Sequence, residues 1–375
     1  MQKFLKCLTF LLWFTGVSGL LSCSVAFARQ RGELVPGSRY VPARAAALGD
    51  AFLPLPDDGA SALFYNPAAI ARLRHTSFEP VNILVDPNDK FLSMTNLNSW
   101  KLLNLGYAVD ILGARPGAVP SIGGTYLPTF YFRGFAMGAM LQSRVTAKVF
   151  KEADGTEKVR YRSRYMFVPS IGTGVRLASG VVRLGYSFQW VQQAYGDITL
   201  PKATKNLGYN VGLAEGTAFS HNFGFALTLP IRYLPAFNMV LRNVLQAKYN
   251  GRTVYSLAKN PNGTPKDEPM TVDVSASIQP KVGRGAYFNL VFVYRDMTNQ
   301  SGVSLLGRSA LGIEFSFRDL FYLRSGYGSA YLNYGIGFKR KKAEVSLSYY
   351  AEEYGESYYT TKDRRILLQY QVRAF

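Results

Sequence analysis

Two histidines and two cysteines are the scarce reactive side chains of this chain, and their placement argues against chemistry. A metal site needs several His, Cys or carboxylate ligands at short spacing. His75 and His221 have no such neighbours, and His221 falls on the apolar phase of its segment, where a girdle or rim residue is expected. A hydrolase needs a nucleophile and a base that converge, and no signature for that pair is present. No Walker-type glycine loop is present either. Gly326, Gly328, Gly335 and Gly337 lie in or beside alternating segments and suit close strand packing. The expectation is a protein that is not an enzyme and binds no metal or cofactor.

The basic residues are more informative. Arg144 and Lys148 share the polar phase of Met140 to Val149, and Arg183 lies on the polar phase of its own segment. Arg160, Arg162 and Arg164 share one face near an expected loop. On strands of a barrel they would line the lumen or its outer mouth, where charge tunes selectivity and attracts carboxylates or phosphates. The competing reading is a solvated face that binds lipopolysaccharide or balances acidic residues.

Strands are what must position these side chains. Leu311, Ile313, Phe315 and Phe317 alternate with Gly312, Glu314, Ser316 and Arg318, and Leu332, Tyr334, Ile336 and Phe338 with Asn333, Gly335, Gly337 and Lys339. The same period of two recurs at 182–190, 219–229, 272–279 and 343–349. That period places one apolar and one polar face on each strand. A soluble sandwich would show it too. Aromatic residues near segment ends, long segments, and links that alternate between short and long favour a transmembrane barrel, which must close because lipid cannot satisfy an open edge. Counting links gives an all-β, antiparallel barrel of about 14 strands over 76–375, if 87–120 is a single outer loop. Leu103 to Ile111 alternates well enough to be a further strand, so 12 to 16 remain open. The last segment ends in Phe375, a terminal aromatic of the kind read by outer-membrane assembly machinery, although it falls off the apolar phase of Ile366, Leu368 and Tyr370.

Composition agrees. The 375 residues are 48% hydrophobic and only 18% charged, which excludes disorder. A mean hydropathy of −0.01 does not resemble a helical membrane bundle. Lys3 and Lys6, the apolar run Leu8 to Leu21 and Ala26-Phe27-Ala28 read as a signal peptide over 1–28. Leu20-Leu21-Ser22-Cys23 as a lipoprotein signal and an uncleaved anchor are the alternatives. Cleavage at Ala28 would remove both Cys7 and Cys23. The net charge of +19 would suggest nucleic acid in a cytosolic protein. In an exported one, no nucleic acid is expected, and lipopolysaccharide or other anions are the natural counterparts.

Residues 29–75 stand apart. An Ala-rich helical stretch (Arg44 to Phe52) leads through Asp57-Asp58-Gly59 to Asn66-Pro67-Ala68. Pro67 ends or bends a strand, Asn66 favours a turn, and Asp57 and Asp58 could pair with lumen Arg or Lys. The bland alternative is an exposed turn followed by a helix start. The ordered run Arg44-Ala45 to Asp50, the acidic pair and Asn66-Pro67-Ala68 resembles the outer-membrane long-chain fatty-acid transporter family (FadL-like) and related PorV-type accessory barrels. Ala69 departs from the Gly of many relatives. The resemblance covers about 30 residues in detail. It implies a 14-strand barrel in the bacterial outer membrane, with the N-terminal segment inside as a plug. It also implies passage of hydrophobic molecules, sometimes sideways into the bilayer.

Phe91, Leu92, Met94, Leu97 and Trp100 would then form an apolar outer loop that captures ligand; a rim helix or an ordinary strand are the alternatives. The function expected is porin-like passive uptake of hydrophobic or amphipathic small molecules, fatty acids among them. A non-conducting accessory barrel of a secretion or surface assembly, with an unidentified protein partner, is the second reading.

Overall fold

Exposure of the alternating residues separates a barrel from a sandwich. In the computed structural model, which describes residues 38–94, 119–151, 155–201, 212–258, 261–283, 285–328, 330–353 and 362–374, the apolar phase faces outward. Leu311, Ile313, Leu332 and Ile336 are 48–58% exposed, whereas Glu314 and Ser316 are fully buried. A soluble sandwich would bury the first set. The inversion is what lipid outside and a polar bore inside require. The signal peptide, Leu97, Trp100, the Leu103–Ile111 segment and Phe375 lie outside the described residues.

The strands are β1 (Ser77–Glu79), β2 (Val81–Pro87), β3 (Ser121–Tyr126), β4 (Thr129–Phe132), β5 (Phe135–Lys151), β6 (Glu157–Leu177), β7 (Val182–Pro201) and β8 (Leu213–Thr228). They continue as β9 (Ala236–Val244), β10 (Thr271–Ile278), β11 (Ala286–Tyr294), β12 (Ser309–Phe317), β13 (Phe321–Gly328), β14 (Tyr331–Lys339), β15 (Ala343–Glu353) and β16 (Lys362–Val372). Sixteen pieces make 14 wall strands. Pro80 separates β1 from β2 and Pro128 separates β3 from β4, because proline cannot donate to the ladder. β1 pairs with β4, β2 pairs with β3, and β5 pairs with both β3 and β4. Every neighbouring pair is antiparallel, and the ring closes where β16 meets β2, with Tyr370 opposite Ile83. β2 bonds directly to β3, with Ile83 opposite Tyr126.

The wall is uneven. β10 to β14 have 8–9 residues, while β5, β6 and β7 have 17, 21 and 20. Arg160, Arg162 and Arg164 lie on β6, from its fourth residue onward. β9 carries a bulge against β8 between His221 and Phe223. The left-handed residues Asn243, Leu245 and Gln246 mark the bulge, and it pushes Leu245 out to 83% exposure.

Residues 38–73 pack against the inner face of this wall. They form the short helix α1 (Ala43–Ala47), the helix α2 (Gly59–Phe64) and the 3-10 turn Pro67–Arg72. The Ala-rich stretch is thus helical only to Ala47; Gly49 and Asp50, both left-handed, turn the chain there. α1 meets β13 to β16, α2 meets β4 to β6, and the 3-10 turn meets β5 to β8.

Candidate functional site

Small residues let this segment lie flush against the wall. Ala43, Ala45 and Ala47 are fully buried. Opposite them the wall offers glycines. A Cβ on Gly326 would stand 2.0 Å from the Leu48 carbonyl carbon, one on Gly328 1.8 Å from Gly49 O, and one on Gly335 2.5 Å from Ala47 Cβ. A second cradle receives the 3-10 turn: a Cβ on Gly185 would stand 2.1 Å from Pro67 O, and one on Gly224 2.5 Å from Ala68 N. These glycines serve close approach of the segment's backbone to the wall, rather than the packing of strand on strand that the sequence suggested for Gly326, Gly328 and Gly335.

Charge holds the segment in register. Arg44 grips Glu314 with a two-pronged fork, Nε to Oε2 at 2.7 Å and Nη2 to Oε1 at 2.7 Å. Its Nη1 donates to Asp57 at 2.9 Å. Arg324 Nε donates to Glu314 at 2.8 Å, and Lys339 Nζ donates to Asp57 at 2.9 Å. Glu344 adds longer contacts to Lys339 at 3.7 Å and Arg324 at 3.9 Å. Three cations and three carboxylates balance, which is what allows charge to persist in so enclosed a place. Burial alone would raise the Asp57 carboxyl, but Lys339 and Arg44 outweigh it and hold the group well below the usual carboxylate range.

Asp58 does something else. Among the described residues it pairs with no Arg or Lys. It caps α2, accepting from Ser61 N at 2.7 Å and Ser61 Oγ at 2.8 Å, because the first helical N–H groups lack partners. Burial first, and then Asp57, push its carboxyl up. At the other end of α2, Arg242 donates to Phe64 O at 3.1 Å and Tyr65 O at 2.8 Å, and pairs with Asp273 at 2.7 Å. A cation there suits the helix dipole. Asn66 is 2% exposed; its Oδ1 accepts from Ala68 N at 3.0 Å and its Nδ2 donates to Leu53 O at 2.9 Å. Pro67 follows as the first residue of the 3-10 turn. Asn66-Pro67 is therefore both a helix start and a buried part of the segment. Two further contacts, Arg39 with Glu268 and Arg295 with Asp50, tie residues 38–73 to the β9–β10 connection and to the residue following β11.

The basic residues singled out in sequence all lie on strand faces toward the bore, but not at one place. Arg144 is opposite Arg164, and Lys148 opposite Arg160, across β5 and β6. Carboxylates neutralise several: Arg144 pairs with Asp86 at 2.8 Å, and Arg160 and Arg162 share Asp197 at 2.6 and 3.0 Å. Arg164 donates to Gln193 at 3.4 Å, and Lys148 is exposed. Arg183 stands apart, at the short-turn end of β7. Phe91 and Leu92 lie on a helix, α3 (Asp89–Met94), with Leu92 40% exposed. Of the other capture-loop residues, the Met94 side chain, Leu97 and Trp100 are outside the described residues. His221 faces outward, stacked beside Tyr186 and bonded to its hydroxyl at 2.7 Å. No group of three His, Cys, Asp or Glu suited to a metal occurs among the described residues.

Sequence reasoning did not single out Glu314, Arg324, Lys339, Arg242 or Asp273 as site residues. The available signal was a charged side chain on the inward phase of a membrane strand, a costly placement unless it is paired.

No protein-family model matches the chain, and no curated protein matches it in sequence. Among solved structures, the Pseudomonas putida toluene transporter TodX superposes with a TM-score of 0.51 at 10% identity, over 91% of this chain and 98% of that one. A TodX deltaS2S3 mutant, a monoaromatic hydrocarbon channel, gives 0.53 at 10% identity, over 88% and 97%. At that identity the likeness establishes a shared fold, a closed antiparallel β-barrel.

Proposed function

We propose that this chain is a bacterial outer-membrane barrel for passive uptake of hydrophobic or amphipathic small molecules, in which residues 29–75 act as a movable plug. The observation that carries the reading is a bore occupied by the chain's own N-terminal segment. That segment is held by hydrogen bonds, ion pairs and glycine contacts, which can be released without breaking the wall. The fold it shares with channels for monoaromatic hydrocarbons supports the same reading. In this mechanism the apolar residues near α3 collect the ligand above the membrane. The plug shifts about Asn66 and Pro67, and the basic residues of β5 to β7 meet any anionic head group.

The test is uptake by liposomes containing the purified barrel, with toluene and dodecanoate as probes. Asn66→Ala and Pro67→Ala are expected to change uptake while the heat-modifiable gel mobility of a folded barrel is kept. Unchanged uptake in assembled variants would refute the plug. A wild-type barrel that transports neither probe but retains one stoichiometric protein on purification would instead establish the accessory role.

A further inference from the structure

Several buried arginines in this barrel have carboxylate partners, although buried Arg308 donates to the Asp296 carbonyl instead. Arg44, Arg242, Arg324 and Arg365 each have one, at 2.7–3.1 Å. At the short-turn end, half-buried Arg176 and Arg183 and exposed Arg72 lack such partners among the described residues. Arg176 of β6 and Arg183 of β7 are directly opposite each other. Both are on the inner face, since a Cβ on Gly174 or Gly185, two residues away on each strand, would touch Ala71 or Pro67. Like charges so placed repel. Arg72, at the end of the 3-10 turn, adds a third guanidinium acting on Arg183, while Arg74 and Arg133 act on Arg176. Among the described residues, none of these five pairs with a carboxylate. The one carboxylate that acts on Arg72 is Asp57, already held by Arg44 and Lys339.

The bonds these side chains make leave donors unused. Arg176 donates to Ala71 O, Arg72 to Pro54 O at 3.0 Å, and Arg183 Nη2 to Thr228 Oγ1 at 2.5 Å. Arg183 Nε is buried with no partner. Three guanidinium forks with spare N–H groups match the oxygens of a phosphate or carboxylate, which accept in pairs.

We propose that Arg72, Arg176 and Arg183 form a binding site for one oxyanion at the short-turn mouth of the bore. The source is either a free anion or the head group of an amphiphile leaving the barrel. The amphiphile source, leaving through this mouth, rests on the function proposed above; the free-anion source does not.

The test titrates the full barrel in zwitterionic detergent at low salt with octyl phosphate, and then with inorganic phosphate as competitor. One saturable site is expected. Its affinity should fall at least about tenfold in Arg176→Gln and Arg183→Gln and stay unchanged in Arg340→Gln, a rim arginine on another turn. Arg183→Lys keeps the charge and should keep the fold, as read by heat-modifiable mobility, yet lose affinity with the fork. Competition by inorganic phosphate identifies a site open to free anions, and its failure to compete identifies an amphiphile site. Absence of saturable binding, or equal loss in Arg340→Gln, overturns the proposal. Toluene uptake is scored separately: anion binding without toluene uptake keeps this site and removes the conducting role.

Discussion

Gly326→Ala is the sharpest perturbation of the seated segment. The new Cβ would stand 2.0 Å from the Leu48 carbonyl carbon, 2.1 Å from its oxygen and 2.6 Å from Gly49 N. Carbon atoms in contact prefer about 3.5 Å, so the backbone at Leu48 and Gly49 must withdraw by roughly 1.5 Å. No rotamer change relieves the clash, because every atom met is main chain. The displacement pulls on α1 and on the Arg44 fork to Glu314, each made at a single geometry. Overpacking of this kind costs about 1–3 kcal/mol, which raises the released fraction of the plug about 5- to 150-fold. Gly124→Ala is the control, since a Cβ there meets nothing nearer than Leu84 O at 4.0 Å. The assay is conductance in planar bilayers together with protease cleavage within residues 38–73. Gly326→Ala should raise both while remaining a heat-modifiable barrel. Wild-type conductance and protection in a folded Gly326→Ala barrel would refute the idea that the wall glycines seat the plug.

Other perturbations act on charge. Asp57 has a carboxyl held below the usual range of about 4. Its contribution is therefore present above that ordinary value and is lost only as pH falls through the lower folded one. Asp57 should add no rise in protease access between pH 7 and about 4 in the wild type, and access should already be raised at pH 7 in Asp57→Asn. Glu314→Gln leaves Arg44 paired with Asp57 alone and Arg324 only with its longer contact to Glu344; breaking a buried pair costs up to about 3–5 kcal/mol. Equilibrium unfolding in urea should show it as a lower midpoint, and an unchanged midpoint would mean that water reaches the cluster. His221→Phe, on the outward face, should leave uptake and unfolding unaltered, and a loss of uptake would revive a chemical role for that residue.

The wall was legible because its signal is local. Leu311 to Phe317 and Leu332 to Phe338 carry a period of two that survives intact as outward apolar residues. The strand count was legible from Pro and Gly links, and Pro80 and Pro128 break strands without adding any. The candidate site was legible by half. Asp57 meets Lys339 as its acidic character suggested, but Asp58 is taken by the N–H groups of α2. Adjacent, like-charged residues gave no means of deciding which would pair and which would cap. Glu314 was visible only as one more polar residue in an alternating strand, because its partner Arg44 lies 270 residues away.

The seating of α1 also constrains the order of assembly. Ala43 N donates to Gln369, and Ser348 donates to Ala43 O, contacts that span 326 and 305 residues. An early-synthesised helix thus waits for the last strands before it has anything to rest against. Such distant pairings are slow to form. Residues 38–73 directly precede β1, at the edge where β2 later meets β16. The segment must therefore either be inside before that seam zips or enter afterwards through a mouth of the closed ring. On the first route the seam is the clock of biogenesis: a change that delays α1, such as a bulky residue among its alanines, would be read as a late failure to close rather than as an early failure to insert.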